Sequence, residues 1–562
     1  MLEKYGKSRR YAFLLLLVII FQIAVILYYT FERHNFMVDE VWTFNTSNHY
    51  YFPFLFQSTE PYMNRWLPSS FWSGSLVVDP NHTFSYGSVF YNMSLDCQPP
   101  FYFIVIHTVC SFFPGEFSRW FGIFPNLIFF VLAQLTFYGV GLKIFGKNSV
   151  ALALCLVYGS CWGTINNVML IRMYMMLTFF ALLDYLVHLQ MLKEASELQS
   201  SKKTLFLIYF FSIFGFLTHY LFLFYATYLF FGTVILLLLY KRAYIIKPYF
   251  LTLFSALLSC LLINPCIPAQ FMGKTGATYG NAAWHNLTQS SDFVFRVVVM
   301  SKLVSQDLLG HKAHLFILFL LLLAIVKFFP IIRKNVSHSL GITNMVTVAY
   351  KKVSRSFATL NCFDTILSGV FLAAFISVAY FLTISKIVLF YENRYMYVIY
   401  PLLIICLFSL LYNLLNRLEL KQELSLAIAV LIILGLNVNY YSRRNIKFLD
   451  DSYPKMLETI SREYSDVNMI TVVNSPNWWP IVGNLLLFRE TSNTLMMGEH
   501  QLSEIKRIVD SQPSNPNSFL IYRGYNCNTK PKEFLELVAK ASGYRKHKKV
   551  GSKFGEIYLF SR

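Results

Sequence analysis

Charged residues are scarce in this chain of 562 residues. Only 14% of the residues are charged, whereas 56% are hydrophobic and 18% are aromatic. A soluble protein could not bury so much apolar surface in its core. The composition therefore excludes that class and predicts a polytopic membrane protein.

Paired cysteines and nucleotide-binding glycines are also missing. The nine cysteines occur singly, several of them inside apolar runs, which excludes a zinc site or a disulfide framework of the usual spacing. The sequence contains no glycine-rich dinucleotide fingerprint. Enzymes that use nucleotide sugars are therefore disfavoured.

The chain has an excess of positive charge, which in a soluble protein would suggest binding to nucleic acid. The net charge is +19, but Lys and Arg occur in short clusters between apolar runs. Such clusters are typical of the loops that stay on the cytoplasmic side of a membrane. We therefore expect the lipid bilayer, and no nucleic acid, as the partner of these residues.

Apolar runs long enough to cross the bilayer define the membrane domain. The first, residues 11–30, follows a basic stretch and has no small-residue cleavage site, so it is typical of a signal anchor with a cytoplasmic N-terminus. Ten further runs bring the prediction to about eleven spans. They lie at 120–142, 150–168, 173–192, 204–218, 220–239, 248–265, 313–332, 363–384, 395–416 and 424–440.

One short apolar segment decides the topology. Residues 99–114, "PPFYFIVIHTVCSFFP", would form a helix of roughly 24 Å, which is short for a crossing, so we expect a helix at the outer interface. The cytoplasmic loops then carry 19 Lys and Arg in about 66 residues, and the outer loops carry 10 in about 135. If the segment spanned, the basic clusters in 240–247 and 333–357 would move outside, against the positive-inside rule.

The predicted fold class is an all-α polytopic membrane domain followed by a small α/β domain. The membrane domain covers 1–440, with a first outer loop at 31–119, and the α/β domain covers 441–562 outside the cytoplasm. Within the second domain, "MITVV", "SFLIYRGY" and "EIYLF" are typical of strands, whereas "LSEIKRIVD" and "PKEFLELVAKA" have helical spacing.

Two adjacent acids, Asp39 and Glu40, stand among apolar residues in "FMVDEVWTF" (36–44), just after the first span. A carboxylate on the outer side of the membrane is well placed to take a proton from an acceptor hydroxyl while a lipid-borne donor sits in the bilayer. The alternative is that both are ordinary loop acids that are solvated or cap the following helix.

Five segments of the chain form an ordered set of motifs: "MVDEVWTFNTSN" (37–48), "DCQPPFYFIVIHTVCSFFPGEFSRWFGI" (96–123), "NNVMLIRMYMMLTFFALLDY" (166–185), "GFLTHYLFLFYATYL" (215–229) and "YENRYMYVIYPLL" (391–403). In this order they resemble bacterial integral-membrane glycosyltransferases of the GT-C fold, the glycosyltransferase family 39-like group that includes protein O-mannosyltransferases and the aminoarabinose transferase. The resemblance implies transfer of a sugar from a polyprenyl phosphate to a glycan, lipid or protein acceptor of the cell envelope, outside the cytoplasmic membrane.

The resemblance also implies roles for the acid pair. Asp39 matches the family's general base, and Glu40 matches the neighbour that positions or tunes it. An acceptor hydroxyl is a poor nucleophile, so a base must remove its proton, and direct attack on the anomeric carbon would invert it.

The leaving phosphate needs cations at the outer interface. Arg172 and Arg394 are lone arginines at the outer ends of spans, where they bind the phosphate or snorkel to the interface. Tyr174 and Tyr395 follow them and either donate to the phosphate or belong to an aromatic belt. His219 either donates to phosphate or sugar, or is simply an interfacial residue.

The chain departs from the family at one position. Gln98 precedes the two prolines, where the family usually has His or Lys; glutamine can hydrogen-bond a sugar hydroxyl but is a poor metal ligand. Gln98 and Asp96 are the candidate residues for binding the acceptor or the sugar. No cofactor is required by the sequence, although Asp39, Glu40 and Asp96 are a possible set of ligands for Mg²⁺ or Mn²⁺.

Two alternatives to the transferase stay open. A transporter or flippase of lipid-linked saccharides also has many spans, but the sequence shows no internal repeat and no sign of matching broken helices. A catalytically inactive member of the same fold is suggested only by Gln98.

Overall fold

The computed structural model describes most of the chain. The described residues are 2–52, 62–199, 201–274, 279–289, 292–323, 364–418, 420–443, 452–474, 479–514, 517–553 and 555–562. The predicted cytoplasmic loop 333–357 and the end of the predicted span 313–332 lie outside them.

Helices account for most of the described structure. The helices in the first half are Leu2–Phe31, Val38–Asn48, Ser69–Gly74, Tyr86–Ser94, Phe101–Ser111, Trp120–Phe145, Asn148–Ser160, Trp162–Met169, Tyr174–Ser196, Lys202–Thr218, Leu221–Leu239 and Ile246–Ile263. Those in the second half are Ile267–Phe271, Tyr279–Gln289, Phe293–Leu309, Ala313–Leu323, Thr365–Ile387, Tyr400–Asn416, Gln422–Arg443, Ser452–Glu463, Trp479–Val482, Leu485–Phe488, Ile505–Asp510 and Pro531–Ser542. Short 3₁₀ segments lie at Pro80–His82, Ala243–Ile245, Asn393–Ile399 and Glu499–Glu504.

The membrane helices confirm the predicted architecture of an all-α polytopic domain. Among the described residues, seven helices are long and apolar enough to cross a membrane, or nine if each of two bent pairs is one span. The seven are Arg9–Phe31, Trp120–Phe145, Tyr174–Ser196, Leu221–Leu239, Ala243–Ile263, Thr365–Ile387 and Asn393–Asn416. Helix formation satisfies every backbone hydrogen bond within the segment, which the hydrocarbon core demands.

The predicted number of spans, about eleven, is higher than the seven to nine counted here, because two of the predicted runs form helices that are too short to be counted. The two remaining predicted runs do form helices, Lys202–Thr218 and Gln422–Arg443. The first has only 17 residues, or about 26 Å, and the apolar part of the second, Gln422–Val438, is similarly short.

Two spans are broken, which the sequence analysis did not anticipate. Asn148–Ser160 meets Trp162–Met169 at 61°, and Phe293–Leu309 meets Ala313–Leu323 at 75°. In the second pair Gly310 adopts a left-handed φ of 55°, a conformation that favours glycine. The absence of broken helices therefore no longer counts against a transporter.

Several loops predicted to be cytoplasmic meet at one end of the membrane helices. Lys143 donates to Gln190, and Arg242 donates through Nε to the carbonyl oxygen of Ala195 at 2.9 Å. Lys147 Nζ lies 2.8 Å from Gln422 Oε1. These contacts join loops that follow four different helices. The predicted alternation of the spans requires these loops to lie on the same side of the membrane.

The segment that decides the topology forms a short helix. Phe101–Ser111 follows the two prolines and has 11 residues, about 16 Å. The short helix is consistent with the prediction that this segment does not span.

The C-terminal residues form the predicted α/β domain. The strands are β1 (Trp66–Pro68), β2 (Met469–Val473), β3 (Asn493–Gly498), β4 (Ser518–Gly524), β5 (Lys546–Ser552) and β6 (Gly555–Ser561). The sheet has the order β1-β3-β2-β4-β6-β5, in which β2 pairs in parallel with β3 and β4 and the other pairs are antiparallel. Burial of all five residues of β2 explains its mostly apolar sequence.

Strands β2, β4 and β6 are the three predicted ones, and the helix Pro531–Ser542 was also predicted. Strand β3 was missed, as was β5, whose sequence "KHKKVGS" is mostly exposed at the sheet edge. The lysine side chains of an edge strand remain in solvent, and their charge disfavours pairing of the strand with other chains.

Contacts divide the chain into two compact units that differ from the predicted domains. The membrane unit contains Met1–Tyr28, Ile123–Met272 and Tyr279–Asn445, and the second unit contains Tyr29–Gly122, Gly273–Thr278 and Ile446–Arg562. The first outer loop thus groups with the C-terminal residues, and β1 shows why, because its three residues extend their sheet. The division at residue 440 stays a prediction.

The topology generates a test by cysteine labelling. The exposed Lys532, on the helix Pro531–Ser542, is predicted to be outside, whereas the exposed Lys202 is predicted to be cytoplasmic. We expect Lys532→Cys to react with a membrane-impermeant maleimide on intact cells, and Lys202→Cys to react only after lysis. The unsubstituted chain controls for native cysteines. Labelling of Lys532→Cys only after lysis would overturn the orientation.

Candidate functional site

Arg172 lies in the turn that precedes the helix Tyr174–Ser196, and only 4% of its surface is exposed. Asn126 holds this turn, since its Nδ2 donates to the carbonyl oxygens of Val168 at 3.1 Å and Leu170 at 2.7 Å. A snorkelling arginine extends its guanidinium into water. The burial of Arg172 instead indicates a defined position within the protein.

His219 lies in the turn between the helices Lys202–Thr218 and Leu221–Leu239. Its Nδ1 accepts a hydrogen bond from the backbone N–H of Leu221 at 3.0 Å, so the neutral ring carries its proton on Nε2. Burial, together with the positive charges of Arg172 and Arg394, lowers the pKa of His219 to about 3. The ring is therefore a neutral hydrogen-bond donor beside two cations.

Arg394 lies in the 3₁₀ segment Asn393–Ile399. Its Nη2 is 3.5 Å from the hydroxyl of Tyr395, and its guanidinium lies 5.3 Å from the centre of the same ring. The hydroxyl of Tyr380 donates to the carbonyl oxygen of Tyr395 at 2.9 Å. These contacts fix the backbone beside Arg394.

Tyr174 joins the three turns. Its ring centre lies 5.4 Å from that of His219, 6.4 Å from that of Tyr395 and 6.3 Å from that of Tyr397. We call the group Arg172, Tyr174, His219, Arg394 and Tyr395 the cation cluster. The structure brings together all the residues that the sequence assigned to the donor phosphate.

Two residues near the cluster were missed by the sequence analysis. Tyr397 follows Tyr395 at a spacing of two in "RYMY", which was a usable signal. Asp307 is completely buried in the helix Phe293–Leu309, where it accepts hydrogen bonds from Asn393 and Tyr400. Its segment had been assigned to an outer loop, so its burial could not be anticipated.

The acid pair lies in the second unit, in the first turn of the helix Val38–Asn48. Glu40 is completely buried and forms an ion pair with the buried Arg33. Its Oε2 also accepts from the backbone N–H of Met37 at 2.8 Å. Asp39 is half-buried and precedes it. Glu40 thus stabilises the turn that carries Asp39.

Asp96 supports the same helix. Its Oδ2 accepts from Trp42 Nε1 at 3.0 Å, and its Oδ1 accepts from the backbone N–H of Cys97 at 2.6 Å. Gln98 follows, half-buried, before the helix Phe101–Ser111. Through its bond to Trp42, Asp96 stabilises the helix Val38–Asn48, which carries Asp39.

The residues suggested as metal ligands do not fit a metal site well. Within the part of the chain that the structure describes, no three His, Cys, Asp or Glu side chains are grouped so as to hold an ion. Glu40 is paired with Arg33, and both oxygens of Asp96 accept hydrogen bonds.

Comparisons with known proteins find similarity to solved structures. No family model and no curated protein matches the chain. Two crystal structures of ArnT from Cupriavidus metallidurans are similar, one bound to undecaprenyl phosphate and one in the apo state, with 11% and 10% sequence identity. Each has a TM-score of 0.46 and covers 96% of this chain and 97% of that chain. At this level of similarity, function has to be argued from the residues of this chain.

The buried Arg33–Glu40 pair generates a stability prediction. Arg33→Gln leaves the carboxylate of Glu40 buried without its cation, so we expect unfolding free energy to fall by about 3–5 kcal/mol. Thermal unfolding of the detergent-solubilised protein measures the effect. Arg33→Met with Glu40→Met should recover much of the loss, because no charge is then left unpaired.

The matched control is the exposed pair of Arg507 and Glu504, in which the arginine is 79% exposed. Arg507→Gln should leave thermal unfolding nearly unchanged, since exposed pairs contribute little. An Arg33→Gln protein as stable as this control would show that the buried pair does not support the turn of Asp39.

Proposed function

We propose that this chain is a glycosyltransferase that moves a sugar from a polyprenyl-phosphate donor to an acceptor on the outer face of the membrane. The cation cluster carries the proposal, because it unites two arginines and a neutral histidine donor from three separate turns. The acceptor class, a cell-envelope glycan, lipid or protein, rests on the family resemblance of the sequence segments.

An anion suits the cluster for an electrostatic reason. Arg172 and Arg394 both lower the pKa of His219, so their positive fields overlap at its ring. Two cations held together where water is limited repel each other, and a bound phosphate relieves that repulsion. The neutral ring of His219 already carries its proton on Nε2, so this N–H can donate a further hydrogen bond to the phosphate.

A lipid-borne phosphate suits the surroundings of the cluster. Arg172 precedes the apolar helix Tyr174–Ser196, and Arg394 lies at the start of the apolar stretch Asn393–Asn416. A polyprenyl phosphate matches a site of this kind, because its charged group needs the cations and its chain needs apolar surface.

The proposed reaction gives the acids and the arginines different tasks. Asp39 takes the proton of the acceptor hydroxyl, whose oxygen bonds to the anomeric carbon as the bond from that carbon to the phosphate oxygen breaks. Attack opposite the leaving group inverts the anomeric carbon. Arg172 and Arg394 bind the negative charge of the departing phosphate. Glu40 positions Asp39 through the turn that it closes with Arg33.

A transporter of lipid-linked saccharides is the second candidate, favoured by the two broken spans. Both candidates predict donor binding at the cation cluster, but only a transferase releases the polyprenyl phosphate. The decisive experiment incubates purified protein with a panel of polyprenyl-phosphate sugars and measures that release. Absence of release with every sugar and acceptor supplied, despite donor binding, would favour transport or an inactive member of the fold.

The phosphate role generates an affinity prediction. Each charge-assisted contact contributes about 1.5–3 kcal/mol, so Arg172→Gln and Arg394→Gln should weaken donor binding roughly ten- to a hundredfold. Arg→Lys keeps the charge but loses the forked geometry and should recover only part of this. Donor-lipid binding in nanodiscs measures the effect.

Arg242→Gln is the matched control, since Arg242 binds backbone carbonyl oxygens at the opposite end of the helices. It should leave donor affinity unchanged. If both glutamine variants at the cluster bind donor within about threefold of the unchanged protein while remaining folded, the phosphate must bind elsewhere.

The base assignment generates a turnover prediction. Asp39→Asn keeps size and hydrogen bonding but removes basicity, so turnover should fall about 10²–10⁴-fold while donor binding survives. Glu116→Gln removes an exposed acid of the same unit and should have no effect. An Asp39→Asn protein that folds normally and retains more than half of its turnover would refute the assignment.

A further inference from the structure

The segment that carries Arg394 is an unusual piece of backbone. Asn393–Ile399 is a 3₁₀ helix of seven residues, whereas such helices rarely exceed three or four because their hydrogen bonds are poorly aligned. It lies directly before the helix Tyr400–Asn416. Side-chain contacts are therefore needed to hold it in one conformation.

One carboxylate oxygen contacts both ends of this segment. Asp307 Oδ2 accepts from Asn393 Nδ2 at 2.8 Å and from the hydroxyl of Tyr400 at 2.7 Å. These donors lie at the first residue of the segment and at the residue just after its end. Asp307 therefore spans the whole segment from a different helix, Phe293–Leu309.

The packing around Asp307 allows this close approach. A Cβ atom on Gly163 would overlap the ring of Tyr400 and lie 2.8 Å from Cβ of Asp307. The glycine therefore lets the helix Trp162–Met169 pack against both partners. Asp307 itself is completely buried. A buried carboxylate is expensive unless its hydrogen bonds are well formed, so the arrangement selects one geometry of the segment.

We propose that Asp307 is a positioning residue that holds Arg394 in the orientation needed to bind the donor phosphate. This inference rests on the proposed function of the cation cluster. Asp307 acts through Asn393 and Tyr400, which restrict the backbone on either side of Arg394. The contact of the Arg394 guanidinium with Tyr395 depends on the same restriction.

The test is a double-mutant cycle in nanodiscs with radiolabelled undecaprenyl phosphate as the probe. Asp307→Asn keeps the size of the side chain but replaces a charged acceptor by a neutral amide. We expect it to weaken binding about tenfold in the otherwise unchanged protein, and by less than about twofold when Arg394→Gln is already present. Such non-additivity would show that Asp307 works through Arg394.

Two further variants sharpen the result. Tyr400→Phe removes only the hydroxyl and keeps the ring packing, so it should reproduce part of the loss of binding. If Asp307→Asn does not fold, Tyr400→Phe becomes the variant that tests the positioning role. Asp292→Asn is the control, because Asp292 lies just before the same helix but pairs with Arg296. It should leave binding unchanged.

Each other outcome overturns a defined statement. Full affinity of folded Asp307→Asn, or an equal loss with and without Arg394→Gln, would overturn the positioning role alone. If Asp307→Asn does not fold, full affinity of folded Tyr400→Phe would do the same. Unchanged binding in Arg394→Gln itself would overturn the phosphate role of Arg394, and with it the inference built on that role.

Discussion

The cost of removing charge from water governs this molecule at every level. It makes charged residues scarce in the spans and places Lys and Arg near the ends of the helices, as at Lys143 and Arg242. It also gives meaning to the exceptions, since a buried ion persists only where neighbouring groups compensate it. Asp307, with its donors Asn393 and Tyr400, and the pair of Arg33 and Glu40 are exceptions of this kind.

The charges are arranged differently in the two units. In the second unit Arg33 and Glu40 neutralise each other and thereby fix the helix turn that carries Asp39. In the membrane unit Arg172 and Arg394 share a site with a histidine whose pKa they lower. A site whose own fields are positive is suited to bind an anion, whereas a neutralised pair is suited to hold a fold in place.

Much of the site was accessible from sequence because its residues mark the ends of apolar runs. The position of Arg172 follows from the length of the apolar runs on either side of it, as does that of His219. By contrast, Asp307 could not be recognised, because its segment carries other charges and was assigned to a loop. Similarly, Glu40 was taken as a partner of Asp39 in catalysis, and only its contact with Arg33 shows what its carboxylate binds.

The sequence by itself determined the class of protein, the helical membrane domain and the strands β2, β4 and β6, because apolar length and periodicity are local properties. Tertiary structure alone decided that β1 of the first outer loop joins the C-terminal sheet, that two spans break, and that three distant turns meet around Tyr174. These features depend on contacts between residues far apart in the chain. Packing of whole helices and strands against one another selects such contacts, and no local pattern specifies them.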